Sequence, residues 1–198
     1  MKNKVLLGLV AIVMVAVLVS CGKVPQTEID ATNAAIAAAQ AAEANVYVPG
    51  EFTALQDKMN AINAAVEEQK GKMFKKYTTV KEDLASTLAL ANQVAANAGV
   101  KKDEVKKQAE TALNDIKTVI AENVKLIPKL PRGKEGAAVI EAMKADVATV
   151  DATVAEAQSL FDKGSFMDAL NKINAAKTKA GELNTEMKEV LTKARIKF

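Results

Sequence analysis

Residues 137–164 read AAVIEAMKADVATVDATVAEAQSLFDKG, and this stretch decides the fold class. Its apolar residues recur at alternating intervals of three and four: Ile140, Met143, Val147, Val150, Val154, Ala157 and Phe161. Such spacing places one apolar stripe along an α-helix, as in a helix with one buried face. The stripe stops before Gly164, which predicts that the helix ends there.

Stripes of the same kind predict six helices, four within residues 28–126 and two that form a hairpin over residues 137–198. The loop 127–136, with two prolines and two glycines, separates the two groups. Breaks between helices are predicted at Pro49, Gly71, the stretch Asn97–Gly99 and Gly164. The stripe of the fourth helix contains Val105, Ala109, Leu113, Ile116, Ile120 and Val124.

The composition supports an all-α chain, because Ala, Leu, Lys and Glu are abundant and are strong helix formers. We expect residues 28–198 to form a single helical domain. Two arrangements fit the spacing equally: an elongated antiparallel helical bundle or a set of stacked helical hairpins. The hairpins around Gly71 and Gly164 share a pattern of stripe, turn and aromatic residue, which fits either an internal duplication or the common form of any helical hairpin.

The N-terminus has the composition of a signal peptide. Lys2 and Lys4 precede an apolar run from Val5 to Val19, which is short for a transmembrane helix of about 20 residues. The run ends in Leu18-Val19-Ser20-Cys21, which resembles the lipobox of bacterial lipoproteins. The resemblance implies cleavage of residues 1–20, attachment of lipid, palmitate included, to Cys21, and a tether over residues 21–27. An uncleaved membrane anchor is the alternative.

The resemblance also predicts a location in the cell envelope. Gly22 follows the cysteine where an Asp tends to retain lipoproteins at the inner membrane. In a bacterium with two membranes this implies the outer membrane, with the protein facing the periplasm or the cell surface. Removal of Lys2 and Lys4 leaves 25 of the 27 Lys and Arg residues against 24 Asp and Glu, so the charge does not indicate a nucleic acid partner.

The residue types of this chain offer few groups for catalysis. The sequence has no histidine, the commonest general base and a frequent metal ligand. Its single cysteine is the predicted lipidation site, which leaves no thiolate for catalysis or metal binding. We therefore expect no enzymatic activity, no cofactor and no metal site.

A second resemblance comes from Ala38-Ala39-Gln40-Ala41-Ala42-Glu43-Ala44 followed by Tyr47-Val48-Pro49-Gly50-Glu51-Phe52. These segments are similar to a family of alanine-rich bacterial lipoproteins with an uncharacterised, tetratricopeptide-like helical domain. Val48 replaces a smaller residue at the turn, and the Trp, Leu-Gly and Tyr pattern of tetratricopeptide repeats is absent. The resemblance implies a helical envelope protein and no particular activity.

Two places are candidates for binding. Tyr47 and Phe52 flank the turn at Pro49 and are candidates to line a small groove, although a corner tyrosine more often packs its ring and bonds to backbone. The loop 127–136 is the other, because long loops often carry recognition residues. Its charged candidates are Lys129, Arg132 and Lys134.

The function that these features predict is a membrane-anchored binding or scaffolding module. Its expected partners are the membrane, through Cys21, and an envelope protein or an anionic envelope polymer. The lysine clusters 70–76, 101–107 and 188–197 fit such a polymer, but acidic residues interleave with them, as on ordinary solvated helix faces. The alternative is a passive spacer that self-associates through its alanine-rich first helix and has no specific ligand.

Overall fold

The structure is a computed structural model that describes residues 22–132 and 136–198. Within these ranges the chain has six α-helices, one 3-10 turn and no β-strand, which confirms the all-α prediction with about six helices. The helices are α1 Gln26–Ala41, α2 Ala44–Tyr47, α3 Pro49–Lys70, α4 Thr78–Leu126, α5 Gly136–Asp162 and α6 Phe166–Lys193, with the 3-10 turn at Ile127–Lys129.

Packing divides the chain into two compact units, where the sequence predicts a single helical domain. Among the described residues, unit 1 contains 22–41 and 50–94, and unit 2 contains 42–49 and 95–198. The helix α4 therefore contributes its first part to unit 1 and the remainder to unit 2. The short helix α2 belongs to unit 2, although the helices before and after it belong to unit 1.

Unit 1 is a three-helix bundle in which α1 and the first part of α4 run parallel. The ammonium of Lys81 is 3.0 Å from a carboxylate oxygen of Glu28, and the hydroxyl of Thr32 is 3.4 Å from the carbonyl oxygen of Leu84. The contacts advance in the same direction along both helices. The turn between α3 and α4 makes α3 antiparallel to them, and the core contains Ile29, Met59, Ile62, Val66, Tyr77, Val80 and Leu84.

Unit 2 has the same up-down-up order, built from the rest of α4 with α5 and α6. Ion pairs of 2.8 Å join Asp115 to Lys177 and Glu122 to Lys188, so α4 and α6 run parallel. The pair of Asp146 with Lys179, at 3.5 Å, and the pair of Glu156 with Lys172 show that α5 is antiparallel to α6. The fully buried core side chains include Ile116, Ala157, Ala169, Ile173, Ala180, Met187 and Leu191.

The turn between α5 and α6 is the one that the sequence predicts at Gly164. The N–H of Ser165 donates to the carbonyl of Leu160, and the N–H of Gly164 donates to that of Phe161, at 3.0 and 2.9 Å. This is the Schellman pattern, which needs a left-handed residue after the helix. Gly164 supplies it with φ of 84°. The glycine therefore ends α5 at the expected place.

The predicted break at Asn97–Gly99 is wrong, because this stretch lies inside α4, a single helix of 49 residues. A glycine in a helix interior costs only about 1 kcal/mol relative to alanine. On the buried face, Val94, Ala98 and Val105 carry the apolar stripe across this stretch. Burial of that stripe outweighs the weak local preference against helix.

We expect Gly99→Ala to raise the free energy of unfolding by about 0.5–1 kcal/mol, since alanine is the better helix former. Gly99 is exposed, and a Cβ atom there would meet nothing within 4 Å. Urea denaturation followed by circular dichroism measures the change. Gly181→Ala in α6 is the matched control, because its Cβ would also meet nothing within 4 Å. A gain at Gly181 with a loss at Gly99 would indicate that α4 is interrupted.

The buried face of α4 also differs from its predicted stripe near the C-terminal end. The sequence predicts Val124 on that face, yet its side chain is 53% exposed. Asn123, its neighbour, is buried instead, with 1% exposure. The prediction continued past Ile116 in two steps of four, through Ile120 to Val124, because it considered only apolar residues. It thereby excluded Asn123, a polar residue that packing accommodates through hydrogen bonds.

Candidate functional site

The corner between α1 and α3 is formed by residues 43–48, and we call it the Tyr47 corner. Glu43 has left-handed backbone angles, with φ of 60° and ψ of 33°. Its carbonyl accepts hydrogen bonds from the N–H groups of Val46 and Tyr47 at 2.9 and 3.0 Å. The single turn α2 ends at Tyr47. Val48 leaves the helical geometry, because the following Pro49 disfavours that geometry in the residue before it.

Tyr47 is buried in unit 2, with 5% of its surface exposed. The backbone N–H groups of Met167 and Phe166, in the first turn of α6, face its hydroxyl and act to lower its pKa. These N–H groups have no partner within their own helix. The side chain of Ser165 makes no capping hydrogen bond. The hydroxyl of Tyr47 is thus the polar side-chain group that affects these N–H groups.

The phenol of Tyr47 is held in its neutral form. Burial raises its pKa above the ordinary value, and the negative charge of Glu43 acts in the same direction. The charge of Lys102 and the two N–H groups of α6 act in the opposite direction and are weaker. A phenol with a raised pKa is a poor general base at neutral pH, so the environment of Tyr47 suits packing rather than proton transfer.

Lys102 links the Tyr47 corner to the start of α6. Its ammonium forms an ion pair with Glu43, and the hydrogen bond from that pair raises the pKa of Lys102. The same ammonium lies 5.8 Å from the ring centre of Tyr47 and 6.0 Å from that of Phe166, within the range of cation–π attraction. Lys106 lies 5.6 Å from the ring of Phe166.

Phe166 also packs against Phe161 across the Gly164 turn, with ring centres 5.1 Å apart and planes at 59°. This tilted arrangement is favourable for aromatic pairs. The Tyr47 corner therefore joins α2, α4 and both helices of the α5–α6 hairpin through one aromatic and ionic cluster. Its geometry stabilises unit 2.

The predicted binding residues lie in different environments. Tyr47 is buried in unit 2 and Phe52 is buried in unit 1, so both rings are core side chains. Lys129 and Arg132 are exposed at the beginning of the 127–136 loop. Lys134 lies outside the described residues, as does Cys21. The loop is partly anchored, because Leu130 is buried in the core of unit 2.

Part of each basic cluster is paired with acids of the described chain. Lys70 is 2.6 Å from Glu67, Lys72 is 2.7 Å from Glu68, and Lys101 is 3.0 Å from Glu104. Exposed pairs of this kind contribute little to stability, because both charges are well solvated. The paired lysines fit the interpretation of these faces as solvated surface, whereas Lys75 and Lys76 of the first cluster have no ion-pair partner among the described residues.

A groove of about 440 Å³ lies in unit 2 between α4 and α6. It is open to solvent and is lined by Lys107, Gln108, Thr111, Ala112, Asp115, Leu170, Asn174 and Lys177. A groove of about 370 Å³ in unit 1 is lined mainly by amides and one carboxylate, from Asn33, Gln56, Asp57, Asn60 and Asn63. Both present hydrogen-bonding groups on helix faces.

No protein family, curated protein or solved structure matches this chain. The resemblances to lipoproteins therefore stay predictions from the residues that carry them. Within residues 22–132 and 136–198, no helix is long and apolar enough to cross a membrane. Over the same ranges, no three side chains of His, Cys, Asp or Glu are grouped closely enough to hold a metal ion.

The sequence identified Tyr47 as a site candidate but not the partners that surround it. Glu43 and Lys102 are separated by 59 positions, and no local pattern pairs two such residues. Lys102 lies in the charged run Lys101-Lys102-Asp103-Glu104, which is the ordinary composition of a solvated helix face. The one sequence signal for these partners was Phe166, an aromatic residue directly after the turn predicted at Gly164.

Proposed function

We propose that this chain is a lipid-anchored envelope protein whose helical units bind or scaffold another component of the envelope. The observation that carries the proposal is Leu18-Val19-Ser20-Cys21 at the end of an apolar run, followed after three residues by a buried Pro25. Four residues of chain span at most about 14 Å. A lipid on Cys21 would therefore hold unit 1 close to the membrane surface.

A binding role is supported by the form of both units. Their cores bury the apolar stripes of the helices, while the open grooves and outer faces carry amides, lysines and carboxylates. Surfaces of this kind suit polar contacts with a protein or polymer. The exposed Lys129 and Arg132, with Lys134 of the same loop, are the residues that we propose for recognition. The outer membrane is the proposed location in a host with two membranes.

Labelling with palmitate tests the anchor. We expect labelled palmitate to enter the wild-type protein and to be absent from Cys21→Ala, because the thiol is the only group in the chain that can form the thioether. Ser20→Ala keeps a small residue before the cysteine and should label like the wild type. Labelling of Cys21→Ala would overturn the lipid anchor at this position.

Crosslinking in cells, followed by mass spectrometry, tests the binding role. We expect a reproducible heterologous partner that is lost when residues 127–136 are replaced by a Gly/Ser linker of equal length. Substitution of the exposed Lys58 in α3 by Gln is the control, and it should leave that crosslink in place. Crosslinks between copies of this chain alone, clustered on residues 28–45, would support the self-associating spacer instead.

A further inference from the structure

The turn between α3 and α4 exposes two large apolar side chains. It reads Gly71-Lys72-Met73-Phe74-Lys75-Lys76, and we call it the 71–76 tip. Met73 is 91% exposed and Phe74 is 81% exposed, the highest values among the large apolar side chains that the structure describes. The adjacent Tyr77 is buried in the core of unit 1. The tip thus presents apolar surface that the core beside it does not use.

Lysines surround these two side chains. Lys72 pairs with Glu68 one turn earlier, and this contact lowers the pKa of Glu68. Lys75 and Lys76 are exposed, and within the described residues their ammonium groups have no ion-pair partner. An apolar pair followed directly by two unpaired positive charges is the composition of a segment that enters the interface of an anionic bilayer.

The chain enters unit 1 at the same end as the tip. Glu28 in the first turn of α1 pairs with Lys81 in the first turn of α4, only five positions after the tip. Two residues before α1 begins, Val24 packs against the core cluster that contains Val66 and Tyr77, which lie before and directly after the tip. Cys21 precedes Val24 by three residues, so a lipid there would place the membrane at this end of unit 1.

We propose that the 71–76 tip is a second membrane contact, in which Met73 and Phe74 enter the interface of the anionic bilayer that holds the lipid on Cys21. Lys75 and Lys76 would meet the anionic headgroups. The proposal rests on the lipid anchor proposed above. A bilayer fits better than a protein partner, because the anchor brings a membrane to this end and the unpaired charges are all positive.

The contact would orient unit 1 on the membrane. A lipid anchor on a flexible tether leaves the attached domain free to rotate, whereas a second contact restricts it. The lipid and the tip together would also hold the protein on the membrane more firmly than the lipid alone, since the free energies of the two contacts combine. The tip would in this way set which faces of unit 1 are directed toward other envelope components.

A single cysteine with a polarity-sensitive fluorophore tests the contact. If lipid occupies Cys21, Phe74→Cys provides the only free thiol of the protein. The labelled protein is purified from membranes and reconstituted in vesicles of phosphatidylglycerol and phosphatidylethanolamine. We expect a blue shift, a several-fold rise in emission and protection from iodide quenching. Thr53→Cys is the matched control, because it is exposed in the first turn of α3, about 26 Å along the helix from Lys70. Its label should stay in water.

The lysines are tested in the same vesicles. Lys75→Gln combined with Lys76→Gln should weaken the tip contact by about fivefold per charge, as expected for lysines near an anionic surface. Vesicles of phosphatidylcholine should give the same loss without a mutation. An equal signal in phosphatidylcholine would overturn the role of the lysines in the contact.

The outcomes separate this inference from the proposed anchor. If palmitate is incorporated but the fluorophore at position 74 is as accessible to iodide as the fluorophore at position 53, the tip does not contact the membrane. The lipid anchor is retained in that case. If palmitate does not label the protein, Cys21→Ser is added to Phe74→Cys, and a blue shift on vesicles would retain the tip without the anchor. If the fluorophore at position 74 is protected from iodide in native membranes but not in lipid vesicles, the tip contacts a protein partner and the proposed bilayer contact is wrong.

Discussion

Tyr47→Ala is expected to lower the free energy of unfolding by about 3–5 kcal/mol, the range for removal of a buried aromatic side chain. The ring lies in unit 2 with 5% exposure and has the ammonium of Lys102 5.8 Å from its centre. Its hydroxyl faces the N–H groups at the start of α6. The substitution removes the packing, the cation–π contact and the hydroxyl together. Urea denaturation followed by circular dichroism measures the loss.

Tyr47→Phe separates these contributions. It keeps the ring and removes only the hydroxyl that faces the N–H groups of Phe166 and Met167, so we expect a loss of about 1 kcal/mol. Hydrogen exchange should then be faster in the first turn of α6 than elsewhere in that helix. If Tyr47→Ala and Tyr47→Phe both stay within about 0.5 kcal/mol of the wild type, the ordinary range for surface substitutions, the Tyr47 corner does not stabilise unit 2.

Asn123→Ala is expected to lower the free energy of unfolding by about 2–3 kcal/mol, because it removes two buried hydrogen bonds and leaves space in the core. The side-chain amide of Asn123 donates to the carbonyl of Ala180 at 2.9 Å, and its oxygen accepts from the amide of Asn184 at 2.8 Å. Both partners belong to α6. Asn123 therefore joins α4 to α6 at a position that is 1% exposed.

Val124→Ala is the matched control for Asn123→Ala. Its side chain is exposed on the same helix, one position further along, and the expected change is within about 0.5 kcal/mol. The two substitutions together report which face of α4 is buried. If Val124→Ala is the more costly of the two, the stripe predicted from the sequence is correct and the phase of α4 in the structure is wrong.

Much of the helical structure is predictable from local sequence. The α5–α6 hairpin ends its first helix close to Gly164, as predicted, because a left-handed residue is needed there and glycine supplies it without strain. The break before Pro49 and the end of α3 at Lys70 also agree with the structure. These features depend on residues within a few positions of one another, and apolar spacing or turn chemistry records them directly.

Other features of the fold and of the site depend on partners distant in sequence. Gly99 has the local signature of a break, yet burial on one face of α4 keeps the helix intact. Asn123 is polar and was left out of the predicted core, because its partners in α6 are about sixty positions away. Glu43 and Lys102 form an ion pair across 59 positions, and neither residue is unusual in its own neighbourhood.

The sequence alone determined that this chain is helical, where most helices begin and end, and which residues form most of the apolar stripes. It also supplied the lipobox resemblance from which the membrane anchor is proposed. Each of these is a property of a short segment, because helix propensity, apolar periodicity and turn geometry are set by near neighbours.

Only the tertiary structure decided how the helices pair and what each candidate residue contacts. It grouped α2 with unit 2, selected Asn123 over Val124 for the core, and left Met73 and Phe74 exposed beside the entry of the chain into unit 1. These results depend on which side chains share a buried interface. That choice is made by burial and hydrogen bonding between segments far apart in the chain, so no single stretch of sequence contains it.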